Sequence, residues 1–409
     1  MHKIYRSYLP RIQFLKMSVE IIVPLITIIF NQCINQNIFS TSYKLAEVIP
    51  IHKSGARTVI NNYRPISLLS PFSKIFETHL YNCLTDFFNK NNVIYNKQFG
   101  FRENLSTDLA VIDTVNYITS CLDNKLTTCS VFLDLSKAFN TVNHKILLHK
   151  LEKYGIRGHP LKLLENYLNH RIQVTKLNSF ISQPLEIGVG VPQGSCLGPL
   201  LFTIYINDIA LNSNFNIRLF ADDACLSLSH KDPVILEQNV NKELKHINYW
   251  LQTNKLFLNY SKTNYLIFTK LKSKHKFNIQ IQNNTLSQEN TVKYLGIRID
   301  DKLNWKPHLN KLRSKLSQGC YALSKLKYYV NQNILKKVYY SLFHSKLQYC
   351  ISSWGGCSET NKNSIFILQK RAIRFLCSKS YQEPTQPLFI ETRILKLADV
   401  YQLNICNIV

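Results

Sequence analysis

The stretch Ile217 to Leu228 most narrows what this chain can fold into. Ile217–Phe220 and Ala224–Leu228 are short apolar runs, and Ala221-Asp222-Asp223 between them reads as a tight turn, which predicts strand, turn, strand. Two carboxylates presented on a rigid turn suit a hard divalent cation such as magnesium, although an Asp-Asp pair alone is usually an ordinary polar turn. A second β-rich run, Cys129-Ser130-Val131-Phe132-Leu133, ends at Asp134, where the acid could meet Asp222 across adjacent strands of one sheet. A carboxylate at a strand end can equally form a turn or cap a helix. Three acids at the ends of neighbouring strands, however, form a site for two metals about 4 Å apart, one activating an attacking hydroxyl and one stabilising a leaving pyrophosphate. Side chains alternate in direction along a strand, so Asp222 and Asp223 cannot both point the same way from an extended chain. Asp134 and Asp222 are therefore the expected principal ligands, with Asp223 close but secondary.

Charge points to the partner. The 409 residues carry 50 Lys+Arg against 25 Asp+Glu, a formal charge of +25. With 45% hydrophobic and 11% aromatic residues the chain can bury a sizeable core, which excludes a disordered basic tail. Such an excess in a globular chain favours a polyanion, nucleic acid before anionic membrane. The eleven cysteines are scattered without zinc-ligand spacing, and read as reduced core residues of an intracellular protein. Val19 to Phe30 is the most apolar run. It holds Glu20 and Pro24 and is shorter than the roughly 20 residues of a membrane span, so a buried helix is expected there and no membrane partner.

Residues 1–45 have mostly helical patterning. Val48–Ile51 and Pro65–Leu69 read as extended pieces around a basic loop with Lys53 and Arg57. Helical spacing follows over 72–90 and 105–122, the latter started by Ser106, and again over 143–154, closed by Gly155. Residues 172–189 alternate like a hairpin, and Pro192-Gln193-Gly194 precedes an apolar helix from Leu200 to Ile209. Beyond 300 the chain is helical. Trp305, Leu309, Leu312, Leu316, Leu323 and Leu326 recur along one face, opposite Lys306, Lys311, Arg313 and Lys315. From 301 to 350 there are ten Lys/Arg and one acid, Asp301. A solvated face would explain part of that imbalance; a polyanion explains its single sign.

Seven motifs now stand in order. Asn62-Tyr63-Arg64-Pro65-Ile66-Ser67-Leu68 and Gln98-Phe99-Gly100-Phe101-Arg102 come first. Val131-Phe132-Leu133-Asp134 with Phe139, then Val191-Pro192-Gln193-Gly194-Ser195, then Phe220-Ala221-Asp222-Asp223 follow. Leu258-Asn259 with Lys262-Thr263, and Lys293-Tyr294-Leu295-Gly296, close the series. Together they resemble the reverse transcriptases of non-LTR retrotransposons, closest to the jockey-like kind, over roughly residues 20 to 310.

The resemblance implies an α+β right-hand fold. Residues 1–128 would form an N-terminal helical extension and fingers. Residues 129–300 would form the palm, an antiparallel sheet with packed helices and an insertion near 140–186. Residues 301–409 would form the thumb and a C-terminal helical region. It implies catalytic and metal-binding roles for Asp134, Asp222 and Asp223 with two magnesium ions, manganese being the alternative. Phe139 would exclude a 2′-hydroxyl and so select deoxynucleotides; without the resemblance it would read as a core Phe. Gln193 and Gly194 would contact nucleotide and template, Gly permitting close backbone approach. Arg64, Arg102 and Lys53 would meet triphosphate or template phosphates, where guanidinium groups donate paired hydrogen bonds. Lys262 would protonate the leaving pyrophosphate. Tyr294, Leu295 and Gly296 would grip the primer, and Lys311 and Arg313 would track the duplex by its phosphates, as would the Lys262–Lys276 stretch.

Asn140 stands where the family often has Asp, and weak effects are expected of it. The implied partners are an RNA template, a DNA primer or target, deoxynucleoside triphosphates and element RNA as a ribonucleoprotein, in nucleus or cytoplasm. No endonuclease, Cys/His knuckle or RNase H-like acidic set is expected in the chain. The competing readings are a truncated, non-catalytic nucleic-acid-binding remnant and an RNA-making polymerase, the latter disfavoured by Phe139.

Overall fold

The structure, a computed structural model, describes residues 16–271 and 275–408. Residues 1–15 of the expected N-terminal helical segment, and Lys272 and Lys274 of the basic stretch, lie outside the described residues. The chain packs into two compact units, each assembled from separated segments. Of the described residues, one contains 16–101, 135–214 and 245–259; the other contains 102–134, 215–244, 260–271 and 275–408. The units interleave along the sequence, whereas the divisions expected from the resemblance are contiguous. A compact body is defined by which segments bury one another, and that need not follow chain order.

In chain order the strands of the two main sheets are β1 (Leu45–His52), β2 (Tyr63–Leu68), β3 (Thr127–Leu133), β4 (Arg171–Leu177), β5 (Phe180–Ile181) and β6 (Leu185–Ile187). β7 (Asn216–Phe220), β8 (Asp223–His230) and β9 (Asn264–Phe268) follow. Then come four short ones: β10 (Gln280–Ile281), β11 (Asn284–Thr285), β12 (Ser287–Gln288) and β13 (Thr291–Tyr294), before β14 (Ile297–Asp300).

In the first unit β1 lies between β2 and β4, antiparallel to β2 and parallel to β4, while β4 also pairs with β5 and β6. The helices Pro71–Lys90, His144–Lys153, His159–Leu168 and Leu197–Ile206 belong to this unit. Leu197–Ile206 has no amphipathic stripe, and every residue the helix contributes except Pro199 is buried. The helix Val19–Gln36 corrects an expectation. It forms, but Phe30 is its one buried residue, stacked on Phe76 at 4.5 Å between ring centroids. Ile21, Val23, Leu25 and Ile28 are exposed. Its apolar residues run round the whole circumference, and one face alone finds a partner. The helix has the length and mean hydropathy, 1.4, of a membrane-crossing segment.

In the second unit the sheet order is β12-β9-β3-β8-β7. β3 sits at its centre, antiparallel to β8 and β9, and all seven of its residues are buried. The helix Thr107–Asp123 starts at Ser106, whose hydroxyl accepts from Leu109 N at 3.2 Å. It is fixed to β7 by the buried Arg218, which pairs with Asp113 and lies over the Tyr117 ring. Beyond β14, the helices Lys306–Leu326 and Glu359–Leu376 bury Leu309, Leu312, Leu316, Leu323, Ile365 and Ile373 in one core.

Candidate active site

Strand register places the acids. β3 and β8 pair Leu133 with Ala224, so the next step sets Asp134 opposite Asp223. On the other side β3 and β9 pair Phe132 with Asn264, and two further steps set Asp134 opposite Lys262. The result is a row, Lys262–Asp134–Asp223, across three strand ends. Lys262 Nζ stands 3.9 Å from Asp134 Oδ2, with the Lys262 side chain open to solvent and that of Asp134 partly so. Asp134 N donates to the hydroxyl of the buried Thr263 at 3.3 Å, which ties the strand end to β9. Asp222 precedes the row, in the turn between Phe220 and Asp223, beside Ala221 at φ 56°. Asp134, at the end of β3, thus stands next to the β8 end that carries Asp223 and the turn that carries Asp222. A two-residue turn with a positive φ at Ala221 uses up the intervening positions. The oxygen-only donors suit magnesium by their chemistry. Among the described residues no three His, Cys, Asp or Glu side chains form a ready metal cluster.

In the same unit β13 and β14 form a hairpin whose turn residues, Leu295 and Gly296, have φ of 44° and 89°. Two positive φ values are what a tight hairpin needs, and Leu is an unusual residue to supply one. The turn is held from outside: Tyr349 Oη donates to Leu295 O at 2.5 Å, and a Cβ on Gly296 would come within 3.1 Å of that hydroxyl. Tyr294 points the other way. Its ring is buried against Phe132, 5.3 Å between centroids, and burial raises its hydroxyl pKa well above the ordinary value. Phe132 and Asp134 share a face of the sheet by alternation, so the hairpin is anchored on the face that carries the acid. Lys311 and Arg313 are exposed on the Lys306–Leu326 helix. Asp300 caps that helix, accepting from Asn304 N at 3.0 Å and Trp305 N at 2.7 Å. Arg102 is half-buried, and burial lowers its pKa.

In the first unit, the Phe139 turn and the loop that carries Gln193 and Gly194 are joined through backbone. Phe139 lies in a short 3-10 turn, Ala138–Asn140, stacked on Phe202 at 4.7 Å and edge-on to Phe101 at 6.2 Å. It is half-buried, neither a closed core residue nor a free ring. Val191 N donates to Phe139 O at 2.8 Å, and Gly190 N to Val142 O at 2.7 Å, so the turn and the 190–194 loop are sewn together. From β2, Ser67 N donates to Gln193 O at 2.7 Å. A Cβ on Gly194, whose φ is 116°, would stand 2.6 Å from Ser67 O. Only glycine fits that approach. Arg64 on β2 and Lys53 just after β1 carry exposed side chains.

Two positions hold this arrangement, one given little weight by the sequence and one that nothing in the sequence marks. Asn140 Oδ1 accepts from Gln193 Nε2 at 3.0 Å, so the residue expected to matter little orients the one expected to touch nucleotide. Glu77, on the Pro71–Lys90 helix, is fully buried. It accepts from Cys196 N at 2.7 Å and Leu197 N at 3.4 Å, capping the helix that carries Phe202. Burial raises its pKa, while the nearby Arg171 and those hydrogen bonds pull it down. No local signal marks a lone Glu in a helix as a cap for another helix 120 residues away.

The second unit presents two carboxylates at a hairpin tip, at the end of an antiparallel sheet. The same fold is found in telomerase from Candida tropicalis (TM-score 0.51, 13% identity, 88% of this chain and 63% of that one). It also recurs in telomerase from Candida albicans (TM-score 0.50, 11% identity, 90% and 68%). Residues 51–299 match the family described as reverse transcriptase (RNA-dependent DNA polymerase), and the chain belongs to that family. Its relatives include the probable RNA-directed DNA polymerase from transposon BS of Drosophila melanogaster, 29% identical over 87% of this chain. Another is the RNA-directed DNA polymerase from mobile element jockey of the same fly, 26% identical over 92%. The chain spans 41% and 42% of those two proteins.

Proposed function

We propose that the chain copies RNA into DNA for a non-LTR retrotransposon, extending a primer 3′-hydroxyl with deoxynucleoside triphosphates. The observation that carries this reading is the row Lys262–Asp134–Asp223 with Asp222 in the adjoining turn. In the reaction the primer 3′-oxygen bonds to the α-phosphorus, the α–β phosphoanhydride bond breaks, the hydroxyl proton is lost and pyrophosphate leaves. Asp134, Asp222 and Asp223 would hold the magnesium ions. When bound, these ions activate the hydroxyl and neutralise charge on the leaving group. Lys262 is the cation nearest Asp134 and is the group to neutralise or protonate pyrophosphate as it departs. Phe139, held by its stack on Phe202, would exclude a 2′-hydroxyl, and Gln193, held by Asn140, would meet the nucleotide. The protein would work inside the cell, in nucleus or cytoplasm, as a ribonucleoprotein with the element RNA.

A second reading is a non-catalytic nucleic-acid-binding remnant, which would use the excess of Lys and Arg without turnover. Primer extension on poly(rA)/oligo(dT) with magnesium separates the two. Extension by the wild type that Asp222→Ala abolishes supports the polymerase. A folded wild type that binds template-primer but extends nothing supports the remnant.

A further inference from the structure

A cavity of about 730 Å³ opens on the first unit, between the helix His144–Lys153, the 3-10 segment Asn207–Asn212 and the last turns of the helix Pro233–Thr253. Sites for small ligands measure about 300–1,000 Å³. None of its lining residues belongs to the acid row or to the Phe139–Gln193 cluster. One wall is aromatic. Tyr249 and Trp250 stand side by side on the last helix, and Tyr249 is 73% exposed. Trp250 is 6% exposed, and its Nε1–H, which can only donate, has no hydrogen-bond partner. A buried indole N–H usually has one.

The other walls carry charge. Lys145 and His149, one turn apart on the His144–Lys153 helix, are exposed and form no ion pair with a described residue. Asp208 is already matched: Lys150 Nζ donates to its Oδ1 at 2.6 Å and to Tyr205 O at 2.7 Å. The same ammonium lies 4.8 Å from the centre of the Trp250 ring, and Tyr205 Oη donates to Asn254 O at 2.5 Å. These contacts tie the three walls together, so the cavity has a fixed floor and is not a gap between loosely packed helices. Lys150 offsets the acid, which leaves Lys145 uncompensated, and the site suits an anion.

An open aromatic face, an unused donor and uncompensated basic groups meet in one cavity, and a nucleotide is the chemistry that uses all three. We propose that the cavity takes one unpaired nucleotide, its base on Tyr249 and accepting from Trp250 Nε1, its phosphate at Lys145 and His149. Every base has a face that stacks on an aromatic side chain, so the site would not choose among sequences. Asp208 offers an acceptor to a sugar hydroxyl. Such a nucleotide is either free or part of a single strand. The site shares no residue with those expected to hold the duplex or the incoming nucleotide, and it does not depend on the chain being a polymerase.

The test uses the full chain with two probes, AMP and a single-stranded oligouridine carrying photoreactive thiouridine. Affinity is measured for wild type, for Tyr249→Ala, and for Lys145→Ser with His149→Ser. All three side chains are exposed, so melting temperatures should stay near wild type. Tyr249→Ala should weaken single-strand binding about tenfold. The double variant should weaken it about fivefold and lower its salt slope by about one. Both variants should bind duplex template-primer and extend it as the wild type does. Crosslinks from thiouridine should map to residues 144–153 or 246–254. Displacement of the strand by millimolar AMP, with AMP binding also lost in Tyr249→Ala, supports the proposal with a free nucleotide as the source. A strand that AMP does not displace, but that both variants bind weakly, supports it with single-stranded RNA as the source. Single-strand affinity unchanged in both variants, or crosslinks elsewhere alone, would overturn it. Tighter binding of a peptide alternating Glu and Trp, lost in Tyr249→Ala, would also overturn it, in favour of a protein partner. A wild type that binds strand at this site yet extends no primer would overturn the polymerase reading and leave this one standing.

Discussion

The acid row of the second unit and the Phe139–Gln193 cluster of the first are built by different means. The acids stand where they do because a fully buried central strand has one register, and slipping it by a residue would expose its whole apolar set. The Phe139 cluster has no such guarantee. It consists of loop and turn residues held by single hydrogen bonds, a glycine with no room for a Cβ, and a buried Glu from a distant helix. The acids are held by strand register, and the Phe139 cluster by a handful of contacts between loops. Damage to the first should therefore abolish turnover with the fold intact, and damage to the second should loosen both.

The largest expected effect is that of Asp222→Ala. Primer extension should fall by about 10³-fold or more, with template-primer affinity and melting temperature near wild type, because Asp222 lies in a turn and not in the core. A partial loss of tenfold or less would break the contrast by showing that Asp134 and Asp223 suffice. Next is Gly194→Ala, which places a Cβ 2.6 Å from Ser67 O at a φ of 116°. Calorimetry should show a loss of about 2 kcal/mol, and steady-state kinetics a raised KM for the nucleotide. Gly188→Ala, where a Cβ would meet nothing within 4 Å, is the matched control and should behave as wild type.

Glu77→Gln tests the cap behind Phe202. A Gln oxygen can still accept the two backbone hydrogen bonds that one Glu77 oxygen accepts, so the substitution should cost about 1 kcal/mol or less at acid pH. Its folded-state pKa is raised from 4.5, mainly by burial, so the fold favours the protonated form. That contribution is full below 4.5 and is lost as pH rises through the folded-state pKa, so the wild-type advantage over Glu77→Gln should shrink as pH increases. Chemical denaturation of both proteins across that range checks the sign; an advantage that grows with pH would refute it. The smallest effect is expected of Asn140→Asp. An aspartate oxygen can still accept from Gln193 Nε2, so extension should change by about twofold or less, whereas Asn140→Ala should raise the nucleotide KM several-fold.

Much of the fold was legible in the sequence because its signals are local. Ser106 and Asn143 cap helices as their residue types suggest, accepting from Leu109 N and Ile146 N. The apolar run ending at Asp134 and the Asp222-Asp223 turn are strands β3, β7 and β8 with shifts of one or two residues at the ends. What failed was burial. The apolar helix Val19–Gln36 looked like an interior helix, yet burial depends on what packs against a surface, and only Phe30 is covered. Tyr294 looked like a primer contact, and its ring is in the core.

By itself the sequence determined the elements, the acids that end them and the excess of cations, because periodicity, capping and charge are properties of neighbouring residues. Tertiary structure alone decided which residues share a row and which hold others in place. The end of β3 beside the Asp222-Asp223 turn, Lys262 beside Asp134, and Glu77 at the end of another helix are long-range pairings. They arise when buried strands fix a register and packed helices choose their neighbours, and no local pattern encodes that choice.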